Sequence, residues 1–524
     1  MTITKPAPSE TRSPLPPALL DRLTGTLTAS GEPTTTTIAP FTGAPLAVLP
    51  TSTPDDVRQA FARARTAQSA WANTSPSERV KPFLALHDSI LNHRELIDIV
   101  QAETGKARNS AFEETIDIAG LALYYGRRAP DFLAPRRRRG AIPFATRTTE
   151  LRHAKGVVAI ISPWNYPLSL GVCDAIPALL AGNAVVHKPD TQTALTALRA
   201  RELLIDCGLP PELWQIVVGE PGVIGDVLVD GADHVCFTGS TAAGRGIAKT
   251  AADRLIGCTL ELGGKNPMLV LDDADLDKAA AGAVRACFSS AGQLCLSMER
   301  IYVADAVYDQ FLAKLITRAR NIKLGNQFDW TYEVGTLTSQ RQLDIVERHV
   351  ADAVAKGATV LAGGKGRPDL GPFFYEPTIL SGITSDMDVY AGETFGPVVS
   401  VYRVGSDKEA IQRANDSEYG LNASVWTSDT ERGRRIAQRI SCGTVNINEG
   451  VGSAYTSNDA PMGGMKASGQ GRRQGEHGLL EYTELQTVAS QHVVGFDPLP
   501  GISTRTNAAL LTHTYRLMKR LRLK

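Results

Sequence analysis

The run Val157-Val158-Ala159-Ile160-Ile161, followed directly by Ser162-Pro163-Trp164-Asn165, decides the fold of this chain. A short apolar, mostly β-branched run predicts a buried strand, and the polar turn after it marks the strand's end. Three further runs repeat the pattern, separated by segments of helical length. Because parallel strands are joined by crossover helices, the alternation predicts a doubly wound parallel sheet. The three runs are Ala184-Val185-Val186-His187, Trp214-Gln215-Ile216-Val217-Val218 and His234-Val235-Cys236-Phe237.

Each predicted strand ends in a polar or glycine-rich turn, where the ligands of such sheets bind. Gly239-Ser240 opens a predicted helix over residues 242–250. The free backbone N–H groups and positive dipole end of such a helix favour a phosphate. A single Gly-Ser or Lys-Pro turn is commonly structural, and no Gly-x-Gly-x-x-Gly motif follows these strands. Four turns on one sheet nevertheless predict a nucleotide site.

A second alternating unit follows the first. It predicts a second α/β domain that begins near Glu261 and places Cys295 opposite the first domain. A cleft between two domains is a favoured place for a substrate to meet a cofactor. The predicted strands cover residues 267–271, 300–303, 398–402 and 444–448, and the predicted helices cover 276–290, 306–322, 407–415 and 430–439.

Length, composition and charge limit the class of protein. The 524 residues, 43% of them hydrophobic, are enough for two or three packed domains. Basic and acidic residues number 55 each, so no net field draws the chain to nucleic acid, and we expect small-molecule partners. Seven scattered cysteines predict reduced thiols and a cytoplasmic location. The sequence has no apolar run of membrane-spanning length, and no hydrophobic signal core follows Met1. Neither membrane insertion nor secretion is therefore indicated.

Two segments carry the chemistry. Gly292-Gln293-Leu294-Cys295 presents a thiol beside small and flexible neighbours, and Glu261, 34 positions upstream, precedes Leu262-Gly263-Gly264-Lys265. A thiol and an isolated carboxylate are the parts needed for covalent chemistry on a carbonyl carbon. Taken alone, a cysteine is usually a small core residue and a glutamate a surface charge. The context favours a catalytic pair.

Seven motifs together resemble the NAD(P)-dependent aldehyde dehydrogenases, in order and spacing, over about residues 40–490. Within that family, the chain is most similar to the actinobacterial second-type succinate-semialdehyde dehydrogenases, through residues 161–167 and 188–190. The seven motifs are Pro163-Trp164-Asn165-Tyr166-Pro167, Lys188-Pro189, Phe237-Thr238-Gly239-Ser240, Glu261-Leu262-Gly263-Gly264-Lys265, Gly292-Gln293-Leu294-Cys295, Glu393-Thr394-Phe395-Gly396-Pro397 and Gly463-Gly464-Met465-Lys466-Ala467-Ser468-Gly469.

The resemblance implies a fold of two doubly wound α/β domains with a small β oligomerisation flap. It implies oxidation of an aldehyde, with succinate semialdehyde as the candidate, to a carboxylic acid through a thioester on Cys295. Glu261 would be the general base, and Asn165 would donate to the oxyanion; the alternative for Asn165 is an amide that caps a turn. No metal is implied. The cofactor, NADP or NAD, would be bound by Trp164, Asn165, Lys188, Pro189, Asp190, Thr191, Gly225, Gly239, Ser240, Leu262, Glu393 and Phe395.

Two departures from the family pattern bear on specificity. Thr191 stands where NAD-specific relatives place a glutamate that chelates the ribose, so NADP is plausible, with Lys188 to neutralise its phosphate. Cys173 and Ser289 stand where characterised semialdehyde enzymes place arginines. An uncharged aliphatic or aromatic aldehyde is therefore an alternative substrate. The candidate substitutes for these arginines are Arg472, Arg473 and the hydroxyls near Thr456 and Ser457.

The remaining segments suggest the domain organisation. An N-terminal arm, 1–37, is expected to be loosely ordered and to lead into a hairpin near 38–49, and helices are predicted over 55–74 and 77–103. The cofactor-binding domain would comprise 38–132 and 152–262, the catalytic domain 263–455, and the flap 133–151 and 484–495, with the arginine run 136–139 as a charged edge. The flap predicts a homodimer or homotetramer. The tail, 497–524, is basic and amphipathic; it would dock on this chain or a neighbouring subunit, or weakly contact an anionic membrane surface.

The alternative from a different class is a catalytically silent binding or structural protein that keeps this fold. The intact residues Cys295, Glu261 and Asn165 argue against that alternative.

Overall fold

The computed structural model describes residues 15–32, 34–140, 146–325, 327–492, 497–498 and 500–522. Two large hydrophobic cores lie within these residues, one around each of two main sheets. No described helix is long and apolar enough to cross a membrane.

Helices dominate the part of the chain before the first sheet. The helix expected over 77–103 is three helices, because Pro82 lacks an N–H and starts a new helix, and His93 leaves helical geometry. A capping box of Thr53 and Asp56 starts the second helix. The elements are α1 (Pro17–Thr24), β1 (Thr34–Ala39), β2 (Ala44–Pro50), α2 (Pro54–Ala72), α3 (Pro76–Arg79), α4 (Lys81–Asn92), α5 (Glu95–Thr104) and α6 (Arg108–Leu133).

The segment before the hairpin is more ordered than expected. Residues 1–14 lie outside the described part of the chain, but α1 is a packed helix and not a loose arm. Leu15 and Leu23 are buried in the first core. Two helical turns are too short for a periodic pattern to stand out, and tertiary packing stabilises this helix.

The first main sheet has five parallel strands in the order β9-β8-β5-β6-β7. Strand β5, which contains the apolar run Val157–Ile161, lies at its centre. Both faces of the sheet are covered there, which explains the unbroken apolar run. The elements are β3 (Arg136–Arg138), β4 (Thr146–Ala154), β5 (Val157–Ser162), α7 (Pro167–Leu180), β6 (Ala184–Pro189), α8 (Ala194–Asp206), β7 (Trp214–Ile216), α9 (Pro221–Gly231), β8 (His234–Thr238), α10 (Thr241–Asp253) and β9 (Gly257–Glu261).

The second main sheet has seven strands in the order β12-β13-β14-β11-β10-β16-β17, parallel except for β12. The elements are β10 (Asn266–Val270), α11 (Leu276–Phe288), β11 (Met298–Ala304), α12 (Tyr308–Arg320), α13 (Gln340–Ala355), β12 (Thr359–Ala362), β13 (Thr378–Ser381), α14 (Asp388–Ala391), β14 (Val398–Val404), α15 (Asp407–Asn415), β15 (Tyr419–Gly420), β16 (Asn422–Trp426), α16 (Thr430–Ala437), β17 (Thr444–Ile447) and α17 (Gly452–Tyr455).

The last part of the chain returns to the first sheet. Residue Gly469 pairs antiparallel with Glu261, which adds β19 as a sixth strand beside β9. A separate three-stranded sheet has the order β20-β4-β3. Of the flap expected over 133–151 and 484–495, residues 141–145 and 493–495 lie outside the described part. The elements are β18 (Met465–Lys466), β19 (Gly469–Gln470), α18 (Gly475–Leu480), β20 (Thr483–Gln491) and α19 (Thr504–Arg520).

Candidate active site

A strained turn presents Cys295. Helix α11 ends at Phe288, and Ser289 follows it. After Ser289, the residues Ser290, Ala291 and Gly292 have φ values of 50°, 54° and 70°. Left-handed backbone at residues other than glycine costs about 1 kcal/mol or more and is found mainly at functional sites. A Cβ at Gly292 would clash with the carbonyl oxygen of Gly396, so only glycine fits there. The turn brings the chain back so that Cys295 faces the first sheet.

Cys295 lines a cavity of about 360 Å³ together with residues from both main sheets. The first sheet contributes the turns that follow β5, β8 and β9. Of the predicted site residues, the cavity brings together Trp164, Asn165, Gly239, Ser240, Glu261, Leu262, Cys295, Glu393 and Phe395.

Glu261 is poised to act as a base. Its side chain is 3% exposed, and its buried Oε1 has no hydrogen-bond partner among the described residues. Burial raises the pKa of Glu261 to about 8, and the charge of Asp174 adds to the increase, whereas Arg473 and Arg472 oppose it. At neutral pH this carboxyl group can therefore both take up and release a proton.

Cys295 needs such a base. Desolvation raises the pKa of its thiol to about 12, with Glu393 and Glu261 adding to the increase and Arg473 opposing it. The thiolate is the reactive form of cysteine. A neutral Cys295 must therefore transfer its proton to become a nucleophile, and Glu261 lines the same cavity.

Asn165 is held in place by the turn that carries the cysteine. Its Nδ2 donates to the carbonyl oxygen of Gln293 at 2.9 Å, and the Oε1 of Gln293 in turn accepts from the backbone N–H of Thr338 at 3.0 Å. An amide nitrogen carries two hydrogens. The second N–H of Asn165 is thus available for an oxyanion beside Cys295.

Glu393 and Phe395 also line the cavity that contains Cys295. Oε1 of Glu393 accepts from the backbone N–H of Gly264 at 2.9 Å, and a Cβ at Gly263 would lie 2.5 Å from its Oε2. Burial, with Glu299 nearby, raises the pKa of Glu393 to about 8. The ring of Phe395 meets that of Trp164 edge to face, with the ring centroids 5.5 Å apart.

The other predicted cofactor residues lie outside this cavity. Lys188 and Pro189 end β6, and Asp190 caps the following turn by accepting from the backbone N–H of Gln192 at 3.0 Å. Thr191 starts that turn, and Gly225 lies on α9, which follows β7. Lys188 forms no ion pair within the described residues; its Nζ donates to the carbonyl oxygen of Pro189 at 3.4 Å. Residues 188–191 thus lie at the carboxyl end of β6, and Gly225 lies in the first half of the helix that follows β7.

Among the residues that sequence reasoning missed, four that are close together in the chain also line the cavity: Ser339, Arg341, Gln342 and Ile345. They belong to the start of α13, which has the pattern of an ordinary amphipathic helix, so no local signal distinguished them. The described residues contain no group of three or more His, Cys, Asp or Glu side chains arranged for a metal.

The arginines considered as partners for a substrate carboxylate are already engaged. Arg473 forms a bidentate ion pair with Asp174, at 2.8 and 2.6 Å, and both residues are buried. Arg472 donates to the carbonyl oxygen of Gly464 at 3.1 Å. The hydroxyl of Thr456 donates to the carbonyl oxygen of Gly452 at 2.9 Å. Arg473 is therefore not free to bind a substrate.

Comparisons with known proteins identify the family to which this chain belongs. The model of the aldehyde dehydrogenase family matches residues 27–488. A protein of Mycolicibacterium smegmatis, named as a proposed succinate-semialdehyde dehydrogenase (NADP+), is 51% identical over 92% of this chain and 93% of its own. The structure of Staphylococcus aureus betaine aldehyde dehydrogenase with NAD+ is 32% identical, covers 92% of this chain and 98% of its own, and has a TM-score of 0.86. A structure described as an Escherichia coli NADP-dependent enzyme is 33% identical, covers 88% of this chain and 96% of its own, and has a TM-score of 0.85.

The structural likeness confirms the predicted fold, with its two α/β units of mainly parallel strands. The sequence match confirms the family inferred from the motifs, and with it NAD(P)-dependent aldehyde oxidation. This chain belongs to the aldehyde dehydrogenase family.

Proposed function

We propose that this enzyme oxidises its aldehyde to a carboxylic acid through a thioester on Cys295, with Glu261 as the base and Asn165 as the oxyanion donor. One observation carries the proposal: these three side chains line a single cavity. A catalytically silent protein would have no need to retain a buried, unpartnered carboxylate, which is costly in free energy.

The residues present fit NAD(P). Ser240 caps α10 by accepting from the backbone N–H of Ala243 at 3.4 Å, and the positive dipole end of this helix faces the cavity that Gly239 and Ser240 line. A Cβ at Gly239 would meet the ring of Phe237 at 2.6 Å, so the turn stays narrow. We propose that this turn holds the pyrophosphate. Trp164, Leu262, Glu393 and Phe395 would enclose the nicotinamide half, and residues 188–191 and Gly225 the adenosine half.

The chain's own residues supply the proton transfers. Glu261 accepts the proton of the Cys295 thiol, and the thiolate sulfur bonds to the aldehyde carbon while Asn165 donates to the oxygen. When bound, NAD(P)+ would supply the hydride acceptor that oxidation of this adduct to a thioester requires. Glu261, after releasing its proton to solvent, takes another from a water molecule that attacks the thioester carbon. The acid leaves, and the Cys295 sulfur regains a proton.

We propose succinate semialdehyde as the substrate, supported by the name of the Mycolicibacterium smegmatis relative. A second candidate, an uncharged aliphatic or aromatic aldehyde, is favoured by Cys173 and Ser289, which give a carboxylate no charged partner. Thr191, a neutral residue where a glutamate would repel a 2′-phosphate, supports the use of NADP. A panel of aldehydes assayed with NADP and NAD tests both points. No turnover of any aldehyde with either cofactor would contradict the proposed function.

We also propose a homodimer or homotetramer in a cytoplasmic location. The exposed strand β20, with Leu485 61% and Val488 45% exposed, supports association. Seven unpaired cysteines support a reducing compartment. The basic helix α19 leaves Leu510 and Leu517 each 54% exposed, which supports a weak contact with an anionic membrane surface.

A further inference from the structure

Glu299 is a buried carboxylate near the start of β11, four residues after Cys295. The pairing of β11 with β10 is irregular at this point, because consecutive residues of β10 pair with Met298 and Arg300. Glu299 therefore has no partner residue on β10. Irregularities of this kind re-aim a side chain and are common next to active sites.

The Glu299 carboxylate binds the segment that contains Glu393 and Phe395. Its two oxygens accept from the backbone N–H of Thr394 at 3.0 and 2.9 Å, and Oε1 also accepts from the backbone N–H of Phe395 at 3.0 Å. Thr394 and Phe395 both line the cavity that contains Cys295. A single hydrogen bond thus connects Glu299 to residues that line this cavity.

Lys265 holds the Glu299 carboxylate in place. Its Nζ donates to Oε2 of Glu299, and the two side chains are only 1% and 4% exposed. Lys265 follows Gly264, whose backbone N–H donates to Oε1 of Glu393 at 2.9 Å. The buried ion pair therefore joins three parts of the chain: the turn after β9, the start of β11 and the segment with Glu393.

The backbone of that segment is strained and is held by side chains from two elements. Phe395 has a φ of 51°, and a left-handed conformation at a bulky residue persists only where its surroundings determine it. Nε2 of Gln342, on α13, donates to the carbonyl oxygens of Thr394 and Phe395 at 3.1 and 2.9 Å. Glu299 and Gln342 together satisfy both N–H groups and both carbonyl groups of these two residues.

We propose that Glu299, held by Lys265, is a positioning residue that fixes Glu393 and Phe395 for binding the nicotinamide half of the cofactor. Neither Glu299 nor Lys265 is among the described residues that line the cavity, so both act through the segment that Glu299 binds. The proposal rests on the proposed function, which assigns the nicotinamide half to Glu393 and Phe395.

The test measures binding of the cofactor without turnover. Calorimetric titrations of the full-length enzyme use the cofactor that it accepts, NADP+ or NAD+, and the matching adenosine half, 2′,5′-ADP or ADP. In Glu299→Gln, amide N–H groups replace a carboxylate oxygen beside Lys265, so the segment loses its anchor. The Kd of the whole cofactor is expected to rise about tenfold, and the Kd of the adenosine half to stay unchanged.

A second variant removes the risk that an unpaired buried charge prevents folding. Lys265→Met combined with Glu299→Leu leaves no buried charge and no acceptor for the two N–H groups. The same selective rise in the Kd of the whole cofactor is expected. Circular dichroism and thermal unfolding without ligand show whether each variant is folded.

Asp273→Asn is the matched control. The Asp273 carboxylate also accepts from two consecutive backbone N–H groups, those of Ser428 at 3.1 Å and Asp429 at 3.0 Å, and it pairs with Arg432. Asp273 is not among the described residues that line the cavity. Its substitution is therefore expected to leave both Kd values unchanged.

An unchanged Kd of the whole cofactor in the folded variants would overturn the proposal. An equal rise for the whole cofactor and the adenosine half would also overturn it, since a general structural defect does not distinguish the two ligands. If Glu299→Gln does not fold, the double variant decides by the same criteria. These titrations contain no aldehyde, so either result contradicts only the assignment of Glu299, whereas an unmodified enzyme that oxidises no aldehyde contradicts the proposed function.

Discussion

The pH dependence of turnover tests the role of Glu261 directly. Burial raises the pKa of this carboxyl group to about 8, and a base works only in its deprotonated form. The fraction of deprotonated Glu261 then rises from about one-tenth at pH 7 to about nine-tenths at pH 9. If release of the acid limits turnover, kcat is expected to rise roughly tenfold over this interval.

The assay measures reduced cofactor, both in the first turnover and in the steady state. Glu261→Gln preserves the volume of the side chain but removes the base, so the pH-dependent rise in kcat should disappear. A burst of reduced cofactor should still form, because ambient hydroxide can supply thiolate slowly for one turnover, whereas hydrolysis of the thioester then lacks its base. Circular dichroism and cofactor binding are the controls for folding.

Two results would refute this reasoning. In the first, kcat of the unmodified enzyme does not change between about pH 7 and pH 9. This would mean that no group with the pKa of Glu261 controls turnover. The same rise in Glu261→Gln would assign the titration to another group. Loss of the burst together with the steady state would show instead that Glu261 serves mainly to deprotonate Cys295.

Three further substitutions test the remaining roles. Cys295→Ala is expected to abolish aldehyde oxidation and leave NADP binding, measured by calorimetry, nearly unchanged; substantial turnover would exclude the thioester. Asn165→Ala is expected to lower kcat by about 10²–10³ with a smaller change in KM, since the amide acts on the developing oxyanion; a change confined to KM would make Asn165 a substrate-binding group only. Thr191→Glu is expected to shift the ratio of kcat/KM values toward NAD about ten- to a hundredfold through repulsion of the 2′-phosphate; an unaltered ratio would place Thr191 away from the ribose.

The sequence by itself determined the local elements and the chemistry they carry. The apolar runs of β5, β6 and β8 predicted strands within one or two residues of their observed bounds, because β-branched residues in a short run fit a fully buried strand. The turns after parallel strands meet at one edge, so the position proposed for the cofactor site also followed from the sequence. Cys295 and Glu261 could be singled out because their glycine-rich neighbours are unusual around a buried thiol and carboxylate.

Only the tertiary structure decided which distant residues meet. Arg473 and Asp174, 299 residues apart, form a buried ion pair beside Glu261, and the first turn of α13 lines the cavity although its sequence resembles any amphipathic helix. The left-handed turn at Ser290 and Ala291 contradicts the helix expected through residue 290, because neither residue prefers that conformation locally. Helical and strand periodicity report which face of an element is buried, but they contain no information on which other element covers that face, and that choice is made by the packing of the whole chain.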